Sequence, residues 1–120
     1  MRFDSIFLFT YRRFPMSLRG KKLGLLISSR PDSHKFQQGI NLAEAAISEG
    51  VDVYIYCIDD AVPGVTNEKL QQLKERGVKL FACAYGAHRR NFPLGDTATF
   101  AGLTVVSDII AGTDRFLSFN

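Results

Sequence analysis

Val51-Asp52-Val53-Tyr54-Ile55-Tyr56-Cys57-Ile58 is the stretch that decides the fold. It is rich in β-branched and aromatic residues, the composition of a strand. On its N-terminal side stands Gly50, placed to close a helix. That helix shows in Phe36, Ile40, Ala43 and Ile47, which recur at spacings of four, three and four along one apolar face. Before it, Ser28-Ser29-Arg30-Pro31-Asp32-Ser33 is a polar loop broken by proline, with Asp32 or Ser33 placed as N-cap. Before the loop, Leu23-Gly24-Leu25-Leu26-Ile27 is a continuous apolar run. Such runs suit a strand buried on both faces of a parallel sheet.

The plan repeats beyond Ile58. Asp59–Gly64 reads as a loop, and Thr66 as the N-cap of a helix that runs to Arg76, with Gly77 just past its end. Val78-Lys79-Leu80-Phe81-Ala82-Cys83 is a third strand ending at the cysteine. Gly86-Ala87-His88-Arg89-Arg90 begins a short helix that Pro93 helps to end. After a loop with Gly95 and Asp96, Leu103–Val106 is a strand or the start of a helix. Ser107 caps a helical turn over Asp108–Ala111, and Asp114–Phe119 alternates as a terminal strand. Strands alternating with helices predict an α/β fold: a flavodoxin-like three-layer sandwich with a mainly parallel sheet of four or five strands. The loops Ser28–Ser33, Asp59–Gly64 and Cys83–Arg89 then share the carboxyl rim, where sites in such sheets are built.

The 120 residues make one domain of ordinary globular composition, 46% hydrophobic and 22% charged. No apolar run reaches the ~18 residues of a membrane span, so no membrane is expected as a partner. Two cysteines exclude a disulfide framework and a four-thiolate zinc site. A cytoplasmic, reducing location is expected. The net charge of +3 is uneven: residues 1–22 carry six basic residues against Asp4 alone, and the remainder is slightly acidic. The basic character therefore belongs to the leader, and nucleic acid is not an expected partner. Residues 1–20 read as an N-terminal extension and 21–120 as the domain, with Met16 a second candidate start. The leader's Phe3, Phe7, Phe9, Tyr11 and Phe14 call for an apolar partner surface.

Cys83 is the sharpest chemical candidate. It stands where a strand meets a helix N-terminus, with His88, Arg89 and Arg90 close behind; both features favour a thiolate. Small neighbours Ala82, Ala84, Gly86 and Ala87 leave room for access. The competing reading is a buried cysteine acting as a small hydrophobe, and local sequence holds the two level. Cys57 also ends a strand, but Asp59 and Asp60 follow it, so it reads as core. Tyr54, Tyr56, Phe81 and Phe119 read as core or interface aromatics. His34 and His88 show no metal-ligand spacing, and no metal is expected. Neither G-x-x-x-x-G-K-[ST] nor G-x-G-x-x-G occurs, which leaves a nucleotide- or flavin-binding protein as a third and weaker reading.

The order of these segments from Lys22 to Phe119 resembles the DsrE/DsrF/TusD-like family of small sulfur-relay proteins. The resemblance rests on the strand Leu23–Ile27, the helix Phe36–Glu49 leading into Gly50–Val53, and the loop at Asp60-Ala61-Val62. It continues through Gly77–Cys83, Gly86–Arg90, Leu103–Ala111 and Asp114–Phe119. It implies a persulfide carrier or sulfurtransferase in which Cys83 accepts sulfane sulfur from a donor protein and passes it to an acceptor protein. It implies that Gly86, Ala87, His88 and Arg89 surround the thiolate and persulfide, with Ser29 and Asp60 walling the pocket. No cofactor is required. A homo-oligomer, trimer or hexamer, is implied as well. Asn91 stands where glycine is common in the family after the basic pair. The alternative is a non-catalytic oligomeric binding module of the same fold with an inert Cys83.

Overall fold

A computed structural model describes residues 17–120. The extension's aromatic residues and Met16 fall on residues 1–16, outside the described residues. Five strands form one parallel sheet: β1 (Lys22–Ile27), β2 (Asp52–Cys57), β3 (Lys79–Cys83), β4 (Thr99–Ala101) and β5 (Arg115–Phe119). Their spatial order is β4-β3-β2-β1-β5. Four helices connect them: α1 (His34–Ser48), α2 (Glu68–Glu75), α3 (Ala84–Arg89) and α4 (Thr104–Gly112). A 3₁₀ helix spans Asp59–Thr66. No described helix is long and apolar enough to cross a membrane.

The alternation along β2 splits the core into two layers. Val53, Ile55 and Cys57 join Leu25, Ile27, Phe36, Ile40, Leu70 and Leu73 under α1 and α2. Tyr54 and Tyr56 face the other way, with Phe81, Cys83, Val105 and Ile109, under α4. Three layers result, as the alternating elements predict.

The chain punctuates its helices in one repeated way. After α1, α2 and α3 the residue in the left-handed region is Gly50 (φ 81°), Gly77 (φ 115°) and Asn91 (φ 53°). Each time the next residue donates back into the helix: Val51 N–H to Ala46 O, Val78 N–H to Leu73 O, and Phe92 N–H to Ala87 O. This is the Schellman motif with an apolar residue following it. It explains Asn91, since asparagine is the residue after glycine that best tolerates this backbone.

Several boundaries differ from the sequence reading. Asn67, not Thr66, caps α2: its side chain accepts the Leu70 N–H at 3.1 Å, while the Thr66 hydroxyl donates to Pro63 O. Asp59–Gly64 is not a loop but most of the 3₁₀ helix, with Ala61, Val62, Gly64 and Val65 buried. Ser107 lies inside α4, whose N-terminus at Leu103 has no side-chain cap. The expected N-cap Ser33 is in place, accepting the Phe36 N–H at 3.2 Å.

Close approach of α4 to the sheet depends on Gly24. A Cβ there would lie 2.6 Å from Ile109 Cγ2 and 2.8 Å from Phe116 Cδ1. Gly24→Ala is expected to lift α4 from β1 and cost about 1–3 kcal/mol, read as a lower urea midpoint.

Candidate functional site

Each strand steps to its next neighbour from β1 to β4, and β5 then returns to the far side of β1. The winding reverses after β4, so the crevice expected at the carboxyl ends opens beside β3 and β4. A cleft of about 480 Å³ lies there. Ile58 and Asp59 line it from the end of β2, Cys83, Tyr85, Gly86, Arg89 and Arg90 from β3 and α3, and Gly102 and Leu103 from beyond β4.

Cys83 is the last residue of β3 and the N-cap of α3. Its Sγ accepts the Gly86 N–H at 3.3 Å. Only 5% of the residue is exposed, so a reactant must enter the cleft to meet the sulfur. Gly86 is buried, and a Cβ there would stand 3.2 Å from Val62 Cγ2 and 3.5 Å from Cys83 Cβ. A small residue is therefore what lets the first turn of α3 close over the cysteine.

Two cations border the cleft. Arg90 donates to Asp60 Oδ1 at 3.1 Å and to Gly86 O at 3.3 Å, tying the 3₁₀ helix to α3. Arg89 lies over the exposed Tyr85 ring, 5.9 Å from its centroid. Asp59 supplies a carboxylate from the start of the 3₁₀ helix and has φ 54°. Exposed Tyr85 and Leu103 give the mouth an apolar rim.

The residues expected around the thiolate divide accordingly. Gly86 and Arg89 line the cleft with Cys83. Asp60 is not a lining residue and acts on the cleft through Arg90. Ala87 is buried in the core beneath α3, and His88 is exposed on that helix; neither lines the cleft. Ser29 does not line it either, and its buried Oγ has no hydrogen-bond partner among the described residues. Asp59, Tyr85, Gly102 and Leu103 escaped the sequence reading. The signal for Gly102 and Leu103 was weak, because β4 has only three residues.

Cys57 is fully buried on the opposite face of the sheet, as the sequence reading expects, and burial pushes its thiol from 9.0 up to about 12. Two results follow. A thiol reagent at neutral pH is expected to find one reactive cysteine in the folded protein and two in denaturant. Between pH 9.0 and about 12 the unfolded chain loses the Cys57 proton and the folded chain keeps it. Stability is thus full below that window and falls as pH rises through it, as urea unfolding at several pH values would show.

Residues 21–119 match the profile of the DsrE/DsrF-like family. Among curated proteins, no sequence match is found. Among solved structures, the crystal structure of the ychN protein from E. coli superposes with a TM-score of 0.69 at 19% identity. The match covers 83% of this chain and 99% of that one, a likeness of fold. With the family profile spanning nearly all the described residues, the chain belongs to the DsrE/DsrF-like family.

Proposed function

We propose that the protein is a persulfide carrier of the sulfur-relay type, with Cys83 as the sulfur-bearing residue. The observation that carries this reading is the setting of Cys83. Its sulfur lies at a strand end, accepts a backbone N–H, and opens into a cleft bordered by two guanidinium groups. Thiol exchange runs through the thiolate. The Cys83 thiolate attacks the outer sulfur of a donor persulfide, R–S–SH. The donor S–S bond breaks, a Cys83 S–SH forms, and the donor leaves as R–S⁻. An acceptor thiolate then attacks the outer sulfur and releases the Cys83 thiolate. No oxidant or reductant is consumed. Arg89 and Arg90 offset the negative charge of both forms, and with Cys83 only 5% exposed an acceptor thiol must enter the cleft to reach the outer sulfur.

The reading is tested by loading the protein with a sulfane-sulfur donor, removing the excess, and adding a small thiol. One sulfur per chain is expected to leave, with Cys83 restored as a free thiol. A protein that loads but does not release, or releases without having loaded at Cys83, contradicts it.

The same reading includes a reducing, cytoplasmic setting and self-association as a trimer or hexamer. Supporting self-association is the α4 side of the sheet. Half-buried Tyr54, Phe81 and Val105 line a second cleft of about 400 Å³ there, and Ile110 is 51% exposed. Light scattering is expected to give a multiple of the 13.4 kDa chain. A monomer at high concentration contradicts this part alone.

A further inference from the structure

Tyr56 lies on β2, the middle strand of the sheet, and is fully buried, yet its ring ends in a polar group. The hydroxyl reaches past β3 and donates to the Ala101 carbonyl on β4 at 2.9 Å. Ala101 is the register partner of Cys83. Tyr56 and Cys83 also share one buried cluster with Val62, Ala87 and Ile109. The phenol therefore shares one face of the sheet and one buried cluster with the Cys83 side chain, and its hydroxyl is bonded to the residue paired with Cys83 between β3 and β4. Burial first, then that sulfur, pushes the Tyr56 phenol well above the usual tyrosine value, so it keeps its proton.

A phenol has one proton to donate. With a neutral Cys83 it goes to Ala101 O. An anionic sulfur competes for it, because a hydrogen bond to an ionised acceptor is roughly twice as strong as one between neutral groups. We infer that Tyr56 is a positioning residue for Cys83: its O–H turns from the Ala101 carbonyl to the sulfur when that sulfur becomes anionic. The sulfur then holds two donors, Tyr56 O–H and Gly86 N–H. The charged or titratable groups that line the cleft with Cys83 are Asp59 from the 3₁₀ helix, Tyr85 and Arg89 from α3, and Arg90 at the end of α3. Ile58, Gly102 and Leu103 bring no charge. The inference rests on the carrier reading for its purpose but is testable apart from it.

The test is carbon NMR of protein labelled at tyrosine Cζ, with pH varied and Cys83 alkylation followed in parallel. The sequence has four tyrosines. Tyr11→Phe, Tyr54→Phe and Tyr85→Phe assign the Tyr56 signal by elimination, so nothing depends on Tyr56→Phe folding. The Tyr56 resonance is expected to move over the pH range in which Cys83 becomes reactive, and to stay still in Cys83→Ser. Tyr56→Phe, if folded, is expected to alkylate roughly three- to tenfold more slowly at neutral pH. A Tyr56 resonance that stays flat while Cys83 ionises overturns the inference, as does alkylation of folded Tyr56→Phe at the wild-type rate. Sulfur uptake is scored separately. Uptake with a flat resonance removes the role of Tyr56 and leaves the carrier reading. A moving resonance without uptake does the reverse.

Discussion

Cys83→Ser is expected to abolish the uptake of sulfane sulfur completely. Intact-protein mass spectrometry after incubation with a donor should show wild type gaining one reducible sulfur and the variant none. The substitution isolates chemistry from folding. Serine is nearly isosteric with cysteine and is among the preferred N-cap residues. Its oxygen can accept the Gly86 N–H that the sulfur accepts now at 3.3 Å, so α3 keeps its cap. What serine lacks is a sulfur able to form a persulfide. A variant that loads as much sulfur as wild type would remove Cys83 from the chemistry and leave the binding-module reading in its place.

The second large effect concerns the 3₁₀ helix that follows β2. Gly64, in the 3₁₀ helix, sits against the ring of Phe36: a Cβ there would lie 2.4 Å from Phe36 Cζ and 2.6 Å from Cε2. Phe36 is fully buried in the first turn of α1, so its ring cannot swing aside into solvent. Gly64→Ala is therefore expected to cost about 1–3 kcal/mol, toward the upper end of that range, through forced displacement of the ring or the 3₁₀ helix. The two residues should be coupled. In a Phe36→Leu background the offending ring edge is gone, and the same Gly64→Ala change should cost clearly less. Urea unfolding of the four proteins in this cycle measures the coupling. Costs that simply add would mean the glycine is not there for the phenylalanine.

What the sequence made legible follows from the strength of the local physics. The first three strands and two of the helices between them were readable because Gly50 and Gly77 end helices that carry clear apolar faces. β2 needed no tertiary context, since Val53, Ile55 and Cys57 serve one core layer and Tyr54 and Tyr56 the other. The region after β3 was harder. Thr99-Phe100-Ala101 is too short for any period to show, yet it forms the edge strand beside Cys83. Leu103–Val106 is rich in β-branched residues and reads equally as strand. It begins α4 because Val105 and Ile109 find the sheet's second face. Pro63 and Gly64 signal a loop, and burial of Ala61, Val62 and Val65 winds that segment into a 3₁₀ helix instead.

The site divides along the same line. Cys83, Gly86 and Arg89 are contiguous in sequence, so one βα junction brings them together. Ser29 follows β1, two strands away from β3, and does not line the cleft that the resemblance implies for it. Tyr56 reads like any core aromatic; only the register of β3 with β4 puts Ala101, which accepts the phenol's hydrogen bond, beside the cysteine.

In the proposed carrier one of the two cysteines holds sulfur and the other is inert. A peptide map of the sulfur-loaded protein, with persulfides trapped before digestion and each cysteine peptide weighed, separates the two. One extra sulfur is expected on the peptide containing Cys83, with Cys57 unmodified. Extra sulfur on Cys57, or on neither cysteine after exposure to a competent donor, would contradict it.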